Sequence, residues 1–447
     1  MRKQWLFIAA LVVTGCGESN QTETDKPKPP NVRVNSKSDR PKSEKSSQKN
    51  KSKLIIATKT MMDRAKTHIQ LREFGKALQV LNQVIQIDPS ATEAYMRRAG
   101  LHADMGQNTH AFSDFNAAVK LQPKNVSVRN MRGFFLLTRR VYDQAISDFT
   151  KAIRMDPKFV QAYNNRGLSY LAQGKFVNAI GDFATAVGLN PEYVDAYNNR
   201  GMAHFRAKNN DKAVADFDVA LRINPDYINA YHNRGMLYFE NGQFQKAVID
   251  FTEAIARDRH NPKYFNLRCA AYGKLNKNNE AQADASKVEW LQKLRNLNTV
   301  VAQAPKQPTG YIKRAEHLID GGESKVALVN YETAIQLDPI FGKSYSSRAS
   351  YWFRHGEYDR AIADCDTAIQ VNPHHDAYSI RGDAYLKKGN YDQAIADFTK
   401  AKRFDVTVAK AYFLRSQTRK SKGNDTGAAT DLKRAIALDP SLKQMDR

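Results

Sequence analysis

Arginine and aspartate recur along this chain at one fixed separation and are its most regular candidates for chemistry. Eleven arginines follow a common spacing from Arg64 to Arg415; an aspartate stands sixteen residues after nine of them, and Asn330 after a tenth. A row of guanidinium groups suits a polyanion, whereas an arginine held bidentately by an aspartate is structural. The regular pairing favours the structural role. The predicted ion pairs are Arg98–Asp114, Arg132–Asp148, Arg166–Asp182, Arg200–Asp216 and Arg234–Asp250.

The other reactive residue types predict neither catalysis nor metal binding. Three cysteines exclude a disulfide scaffold or a four-thiolate metal site, and neither Cys-x-x-Cys nor His-Glu-x-x-His occurs. The run His374-His375-Asp376 is too small for a metal site, and Cys269 and Cys365 fall on positions expected to be buried, as free thiols. We therefore predict no catalytic residue, no metal and no cofactor.

The N-terminus predicts export and lipidation. Two basic residues precede an apolar run over residues 5–13, and small residues lead to Cys16. Nine apolar residues are too few to span a bilayer, which is typical of a signal peptide. The sequence Val-Thr-Gly-Cys at 13–16 resembles the lipobox of bacterial lipoproteins. That resemblance implies that residues 1–15 are removed and that Cys16 carries acyl chains such as palmitate. The alternative is a plain signal peptide with an incidental cysteine.

The resemblance also implies a location. Gly17 is not the aspartate that often retains lipoproteins in the inner membrane, which favours the outer membrane of a bacterial envelope, facing the periplasm. Residues 16–53 are rich in Lys, Ser, Asn and Pro, so we predict a lipidated cysteine followed by a disordered basic tether. Such a tether would have weak contact with anionic lipid or cell wall.

A period of 34 residues fills the remainder of the chain, and such a period must be interpreted before any domain is assigned. Each unit follows the pattern of residues 162–191, which starts Ala-Tyr-Asn-Asn-Arg-Gly and ends at a proline. The prolines in register are Pro89, Pro123, Pro157, Pro191, Pro225, Pro339 and Pro373. The pattern resembles the tetratricopeptide repeat (TPR), two antiparallel helices joined by a turn, here at Gly174. The resemblance implies an all-α fold, a right-handed α-solenoid of about eleven units.

A frame with Gly167 at position 8 and Pro191 at position 32 gives eleven repeats, from Thr58 to about Leu442. Position 7 is the recurrent arginine and position 23 its aspartate, so the predicted pairs join the two helices of one repeat. Position 24 is mostly aromatic. Position 20 is alanine throughout, because only a small residue lets the two helices approach there. These alanines are Ala77, Ala111, Ala145, Ala179, Ala213, Ala247, Ala281, Ala327, Ala361, Ala394 and Ala428.

Two irregularities suggest a division of the array. One residue is missing after Pro373, and twelve are added between the seventh and eighth repeats. Over residues 289–304 apolar residues keep helical spacing, which predicts that the second helix of repeat 7 continues. We accordingly predict one array over residues 54–304, with an extended last helix, and a second over 305–447.

The TPR resemblance implies that the first helices line a groove in which positions 2, 5, 6, 9, 12 and 13 face a ligand. In repeats 3–6 these positions carry side-chain amides, which can both donate to and accept from a peptide backbone, beside an apolar stripe. This resembles the asparagine ladder of O-linked N-acetylglucosamine transferases. The alternative is that the amides are only repeat consensus and that position 9 packs between repeats. The predicted groove residues are Asn130, Phe134, Asn164, Asn165, Leu168, Asn198, Asn199, Met202, His232, Asn233 and Met236.

Repeats 7–11 carry mixed charge at these positions. Such a pattern usually marks a solvated face, and a specific anion site is the alternative. The formal charge of the chain is +23, which favours acidic partners, but an exported lipoprotein predicts no nucleic acid. The charged residues are Lys263, Lys274, Lys313, Lys343, Arg354, Lys387, Lys410 and Lys420, with Glu316, Asp320, Asp376 and Asp383.

These features predict a non-catalytic envelope scaffold that binds extended peptide segments of protein partners in the groove and reaches a membrane through its acyl chains. One alternative is a self-assembling, secretion or pilus-assembly lipoprotein that acts through an uncapped C-terminal repeat face. A regulatory repeat subunit of a glycosyltransferase is a weaker alternative. Leader, tether and repeats leave only residues 443–447, so we expect no fused catalytic domain.

Overall fold

The computed structural model describes residues 42–444, with side chains described over 56–443. This part of the chain is helical throughout, with no strand. The α-helices are α1 (Lys42–Gln70), α2 (Phe74–Ile87), α3 (Thr92–Asp104), α4 (Asn108–Leu121), α5 (Val126–Thr138), α6 (Tyr142–Met155), α7 (Val160–Ala172), α8 (Phe176–Leu189), α9 (Val194–Arg206), α10 (Asn210–Ile223), α11 (Ile228–Glu240), α12 (Phe244–Arg257), α13 (Pro262–Lys274), α14 (Asn278–Gln303), α15 (Pro308–Asp320), α16 (Ser324–Leu337), α17 (Gly342–Arg354), α18 (Tyr358–Val371), α19 (His375–Lys387), α20 (Tyr391–Lys400), α21 (Val406–Ser421) and α22 (Asp425–Leu438).

The predicted tether is partly wrong. The signal peptide, the lipidation at Cys16 and residues 17–41 lie outside the described residues, but α1 already begins at Lys42, well before the predicted end of the tether at Lys53. Residues 42–70 contain neither glycine nor proline and are rich in lysine, a good helix former. Residues 42–53 therefore form a helix because of their helix propensity, although their low apolar content predicted disorder.

Consecutive helices pack as eleven pairs in the described chain, one pair per predicted repeat. The turn within every pair passes through a left-handed residue at position 15, a conformation that glycine adopts without strain. Gly174 has φ +74°, and its neighbour Lys175 donates its backbone N–H to the carbonyl of Tyr170 at 2.9 Å. Four repeats place Arg72, Arg140, Lys208 or Asn276 there, also with positive φ. The turn geometry is thus common to all eleven pairs.

The core of each repeat lies where its two helices meet. Every position-20 alanine except Ala281 is buried, and in the seven repeats with an aromatic at position 24 that side chain is at most 2% exposed. In repeat 5, a Cβ added at Gly201 would come within 2.8 Å of the Phe217 ring. In the five repeats with glycine at position 8, repeats 3–6 and 10, the absence of a side chain there gives the aromatic its space. The buried position-24 aromatics are Phe115, Phe149, Phe183, Phe217, Phe251, Tyr331 and Phe398.

The chain divides into two compact units, Met1–Asp258 and Arg259–Arg447. The described helices of the first, here called the N-terminal unit, are α1–α12, or repeats 1–6. The second, the C-terminal unit, contains α13–α22, or repeats 7–11. The predicted boundary between residues 304 and 305 is therefore one repeat too late.

The long helix α14 explains the position of this boundary, since its added turns join repeat 7 to repeat 8. Trp290 Nε1 donates to the carbonyl of His317 at 3.1 Å, and His317 Nε2 lies 2.8 Å from the carbonyl of Trp290. Leu294 belongs to the same apolar cluster as Ile312 and Tyr331 of repeat 8. These contacts place repeat 7 in the C-terminal unit.

The end of the last repeat is partly covered. Pro440–Gln444 forms a 3-10 helix, and Leu442, 9% exposed, packs on Ala409 and Ala435. Over residues 42–444, no helix is both long enough and apolar enough to cross a membrane.

Candidate functional site

The recurrent arginines bind the recurrent aspartates. All five predicted pairs form, and each has the same two hydrogen bonds, from arginine Nε and Nη2 to the two carboxylate oxygens, at 2.6–2.9 Å. The aspartates are buried, and a buried carboxylate requires such a partner. The hydrogen bond to Asp182 raises the pKa of Arg166. The arginine ladder is accordingly an internal framework. Its other pairs are Arg268–Asp284, Arg348–Asp364, Arg381–Asp397 and Arg415–Asp431.

The same guanidinium also donates a hydrogen bond to the preceding repeat, a contact that was not predicted from the sequence. Arg98 Nη1 donates to Asn82 Oδ1 at 2.7 Å, and Arg132 Nη1 donates to Asn116 Oδ1 at 2.9 Å. Both acceptors stand at position 25, where residue type varies, so the pattern is weak in the sequence. The arginine thereby ties the repeats of a unit together as well as the helices within one repeat.

Repeat 8 departs from this framework. Arg314 Nε donates to Asn330 Oδ1 at 2.7 Å and Nη1 donates to Asn298 Oδ1 at 3.1 Å, but no carboxylate of the described side chains forms an ion pair with the guanidinium. Burial therefore lowers the pKa of Arg314, opposite to the shift in Arg166. Repeat 8 holds a charged arginine with neutral partners.

The predicted amide ladder is present, but its members bond to one another across repeats. Asn165 Nδ2 donates to Asn130 Oδ1 at 3.0 Å and Asn199 Nδ2 donates to Asn164 Oδ1 at 2.9 Å. The same bond joins the next two repeats. In each case position 6 of one repeat donates to position 5 of the repeat before. The amides predicted to face a ligand therefore also hold successive first helices in register. The third bond runs from Asn233 Nδ2 to Asn198 Oδ1, at 2.9 Å.

The apolar stripe at position 9 is half-buried and has a packing role. Phe134, Leu168 and Met202 each lie against the apolar core of neighbouring repeats, and Met236 is also half-buried. His232, at position 5 of repeat 6, is half-buried too. Part of each side chain remains accessible beside the amides.

The C-terminal unit has an open cavity of about 400 Å³ on the corresponding surface. We call the surface formed by positions 2, 5, 6, 9, 12 and 13 the first-helix face. The cavity spans repeats 8–10, with serines at its centre and both signs of charge at its edges. The lining residues at these positions are Glu316, Ile319, Asp320, Lys343, Ser346, Ser347, Ser350, Arg354, Asp376, Ser379 and Ile380.

The charges at this face pair with one another. Lys343 Nζ lies 2.9 Å from Asp376 Oδ2, across successive repeats, and the hydrogen bond to Lys343 lowers the pKa of Asp376. Arg403, between α20 and α21, has its Nη1 2.8 Å from Asp383 Oδ2, and both side chains of this pair are mostly buried. The exposed Lys343–Asp376 pair contributes little stability, so it is available to exchange partners with a ligand.

The remaining reactive residues have structural positions. His374 Nε2 lies 3.0 Å from Ser346 Oγ and bridges repeats 9 and 10. Within residues 42–444, no cluster of three or more His, Cys, Asp or Glu residues could hold a metal ion. Cys269 and Cys365 are free thiols, and burial raises the pKa of Cys365 to about 12.

Stacked helix pairs with a shared internal framework and a variable outer face define a helical-repeat protein. Tetratricopeptide repeat models match residues 62–126, 167–228, 349–409 and 381–442, a further one matches 228–261, and another matches 141–174. Together they cover more than half of the chain, which belongs to the tetratricopeptide repeat family. Repeat proteins of this kind are protein-interaction scaffolds.

Several solved structures are similar over part of the chain. PilW, a type IV pilus biogenesis factor, is 18% identical, with 46% of this chain and 95% of PilW covered and a TM-score of 0.42. PilF of Pseudomonas aeruginosa is 16% identical, with 48% and 99% covered and a TM-score of 0.42. MamA is 22% identical, with 38% and 92% covered and a TM-score of 0.34. No curated protein matches the sequence.

Proposed function

We propose that this chain is a non-catalytic scaffold that binds extended peptide segments of protein partners along its first-helix face. The observation that carries the proposal is the cavity of about 400 Å³ across repeats 8–10, whose lining comes almost wholly from that face. A groove that crosses three successive helices suits an extended segment, because each repeat meets a different part of it.

The chemistry of the cavity supports a peptide ligand. Hydroxyl groups both donate and accept hydrogen bonds, so the half-buried Ser350 and Ser379 can serve backbone N–H and C=O groups alike, whereas Ser346 and Ser347 are buried. Glu316 and Asp320 lie in repeat 8, whereas Lys343 and Arg354 lie in repeat 9, so opposite charges border the serines. This arrangement favours a peptide with charges of both signs.

The amides of the N-terminal unit offer a second, weaker surface. Asn165 and Asn199 are half-buried, and each uses Nδ2 to bond to the repeat before. Their carbonyl oxygens remain able to accept from a peptide N–H. The cross-repeat hydrogen bonds already hold these amide side chains in one conformation. Binding a peptide therefore costs little additional side-chain entropy at these acceptors.

Self-association through the last repeat is a less favoured alternative. Leu442 covers Ala409 and Ala435 there, which reduces the apolar area open to a second copy.

The proposed setting is a bacterial envelope, with the chain anchored through acyl chains on Cys16. It rests on the signal-like residues 1–16 alone. Metabolic labelling with an alkyne palmitate, followed by membrane fractionation, tests it. We expect label and membrane association in the native chain, and the loss of both in Cys16→Ser; an equally labelled variant would contradict the proposal.

Peptide binding is tested by selecting displayed random peptides on the intact chain and measuring the affinity of the selected sequences. Ser350→Trp fills the centre of the cavity, and we expect it to weaken binding about tenfold or more. Gln336→Trp is the matched control, because Gln336 is an exposed residue of the second helix α16. If both variants bind like the native chain, the cavity is not the binding site.

A further inference from the structure

A second cavity of the C-terminal unit surrounds Arg314 and has a volume of about 480 Å³. It is bordered by Arg259 and His260, which precede α13, and by residues from α14 to α16. None of its lining residues occupies the first-helix face. Its walls combine three arginines with four aliphatic side chains. The lining residues are Arg259, His260, Leu291, Leu294, Arg295, Asn298, Arg314, Leu318, Glu323, Val326 and Asn330.

The cavity is lined by more positively charged than negatively charged side chains. Glu323 is the single acid in the lining, and it is already engaged: its Oε2 lies 3.4 Å from Arg259 Nη2 and its Oε1 lies 3.4 Å from His260 Nε2. In the part of the chain that the structure describes, neither Arg295 nor Arg314 has a carboxylate at ion-pair distance. Two guanidinium groups therefore border the cavity without a counter-charge.

The bonding of Arg314 leaves one edge of its guanidinium available. In the repeats with an aspartate, Nη2 donates to the second carboxylate oxygen, as in Arg348 to Asp364 at 2.8 Å. Asn330 instead turns its Nδ2 towards the carbonyl of Val326, at 2.7 Å, and accepts only from Arg314 Nε. Arg314 Nη2 consequently has no hydrogen-bond acceptor among the described residues, although the same atom binds a carboxylate oxygen elsewhere in the framework.

We propose that this cavity binds the C-terminal carboxylate of a protein partner whose last residue is apolar. Planar guanidinium groups recognise a carboxylate through parallel hydrogen bonds, and Arg295 and Arg314 supply them. A chain terminus brings its last side chain with the carboxylate, and Val326, which is 47% exposed, offers that side chain an apolar surface beside the edges of the buried Leu291 and Leu294. An inorganic oxyanion would make no use of these aliphatic walls. The site does not depend on peptide binding at the first-helix face.

Calorimetric titration of the intact chain with acetyl-Ala-Ala-Ala-Leu tests the proposal directly. The probe is compared with its C-terminal amide and with inorganic phosphate as a competitor. We expect the free acid to bind about thirtyfold more tightly than the amide, because the amide cannot pair with the arginines. Equal affinity of acid and amide would overturn the proposal, as would full displacement of the peptide by phosphate at an equal concentration.

Two variants locate the binding within this cavity. Asn330→Asp gives Arg314 the internal carboxylate that nine other repeats possess, and we expect the free-acid peptide to lose its advantage over the amide while the fold is retained. Arg295→Ala removes an exposed guanidinium, with an expected loss of about tenfold. Arg360→Ala, another exposed arginine of the C-terminal unit, is the control and should bind like the native chain. Unchanged binding in both Asn330→Asp and Arg295→Ala would contradict the assignment.

Discussion

The first-helix faces of the two units differ although the framework beneath them is the same. In the N-terminal unit the face carries amides that bond to each other, such as Asn199 to Asn164. In the C-terminal unit the corresponding positions are serines and charged residues around an open cavity. Arginine–aspartate pairs, position-20 alanines and position-24 aromatics occur in both units. The fold is therefore encoded mainly at positions outside the first-helix face, which leaves that face open to variation.

The largest expected effect is the loss of stability when one arginine–aspartate pair is broken, and it tests whether these pairs stabilise the two units equally. Asp216→Ala strands Arg200, and Asp364→Ala strands Arg348 in the other unit. Because each change leaves a half-buried guanidinium without its carboxylate, each should lower the local free energy of unfolding by about 3–5 kcal/mol. Hydrogen exchange resolved by peptide measures this locally, since repeat arrays do not unfold as one unit.

Asp211→Ala is the matched control for Asp216→Ala, because Asp211 is exposed on the same helix. It should change the free energy of unfolding by less than about 0.5 kcal/mol. A small effect of Asp216→Ala would show that the pairs do not stabilise the repeats, and clearly unequal effects in the two units would break the comparison.

A second prediction concerns the space above the position-24 aromatics. A Cβ at Gly201 would lie 2.8 Å from the Phe217 ring, and one at Gly382 would lie 2.7 Å from the Phe398 ring. We expect alanine at either site to lower the free energy of unfolding by about 1–2 kcal/mol, since overpacking exceeds the gain in helix propensity.

Gly181→Ala separates the effect of helix propensity from the effect of overpacking. Gly181 lies within α8, and nothing lies within 4 Å of its added Cβ, so alanine should stabilise the helix by up to about 1 kcal/mol. Thermal melts of the three variants compare them. If Gly201→Ala also raised the melting temperature, contact with Phe217 would not limit the residue type at Gly201.

A third prediction sharpens the contrast between the two faces. Asn199→Ala removes the donor to Asn164, which is 5% exposed, and should cost about 1–2 kcal/mol because a buried amide oxygen loses its partner. Ser350→Ala at the C-terminal face should change stability by less than about 0.5 kcal/mol. Hydrogen exchange of α7 and α9 for the first, and of α17 for the second, measures these changes. Equal effects would contradict a structural role specific to the amides.

The smallest expected effect is a pH dependence in repeat 2 of the N-terminal unit. Burial raises the pKa of Asp104 to about 6, and its Oδ1 is buried without a hydrogen bond. An acid whose pKa is raised by folding adds stability below its unfolded pKa and loses it as the pH rises through its folded value. Asp104→Asn should therefore stabilise the chain at pH 7, by at most about 1 kcal/mol after solvent screening.

Melting temperatures at pH 4 and pH 7 check this prediction. The stabilising effect of Asp104→Asn should shrink as the pH falls from 7 to 4, where the native carboxyl is itself neutral. A constant difference between variant and native chain across this range would show that Asp104 does not titrate there.

The framework could be predicted from the sequence because its partners lie in one repeat and recur at a fixed separation. The pair Arg166–Asp182 needs only the spacing of sixteen residues and two antiparallel helices. The fate of the amides could not be predicted, because Asn165 can bond to a peptide or to Asn130 with the same groups. The start of α1 and the division at Asp258 depend on propensity and on packing between repeats, which the 34-residue pattern does not contain. The cavity around Arg314 has a sequence signal, Asn330, that becomes informative only once the guanidinium is placed.

The reach of the arginines into the preceding repeat has a mechanical consequence. Arg200 lacks such a contact, because Ala184 stands at position 25 of repeat 4. Within the described part of the N-terminal unit, Asn199–Asn164 is then the one side-chain hydrogen bond between repeats 4 and 5, whereas Arg234 and Asn233 both bond to repeat 5. Under a stretching force, side-chain hydrogen bonds should therefore hold the seam between α8 and α9 less firmly than the seam between α10 and α11.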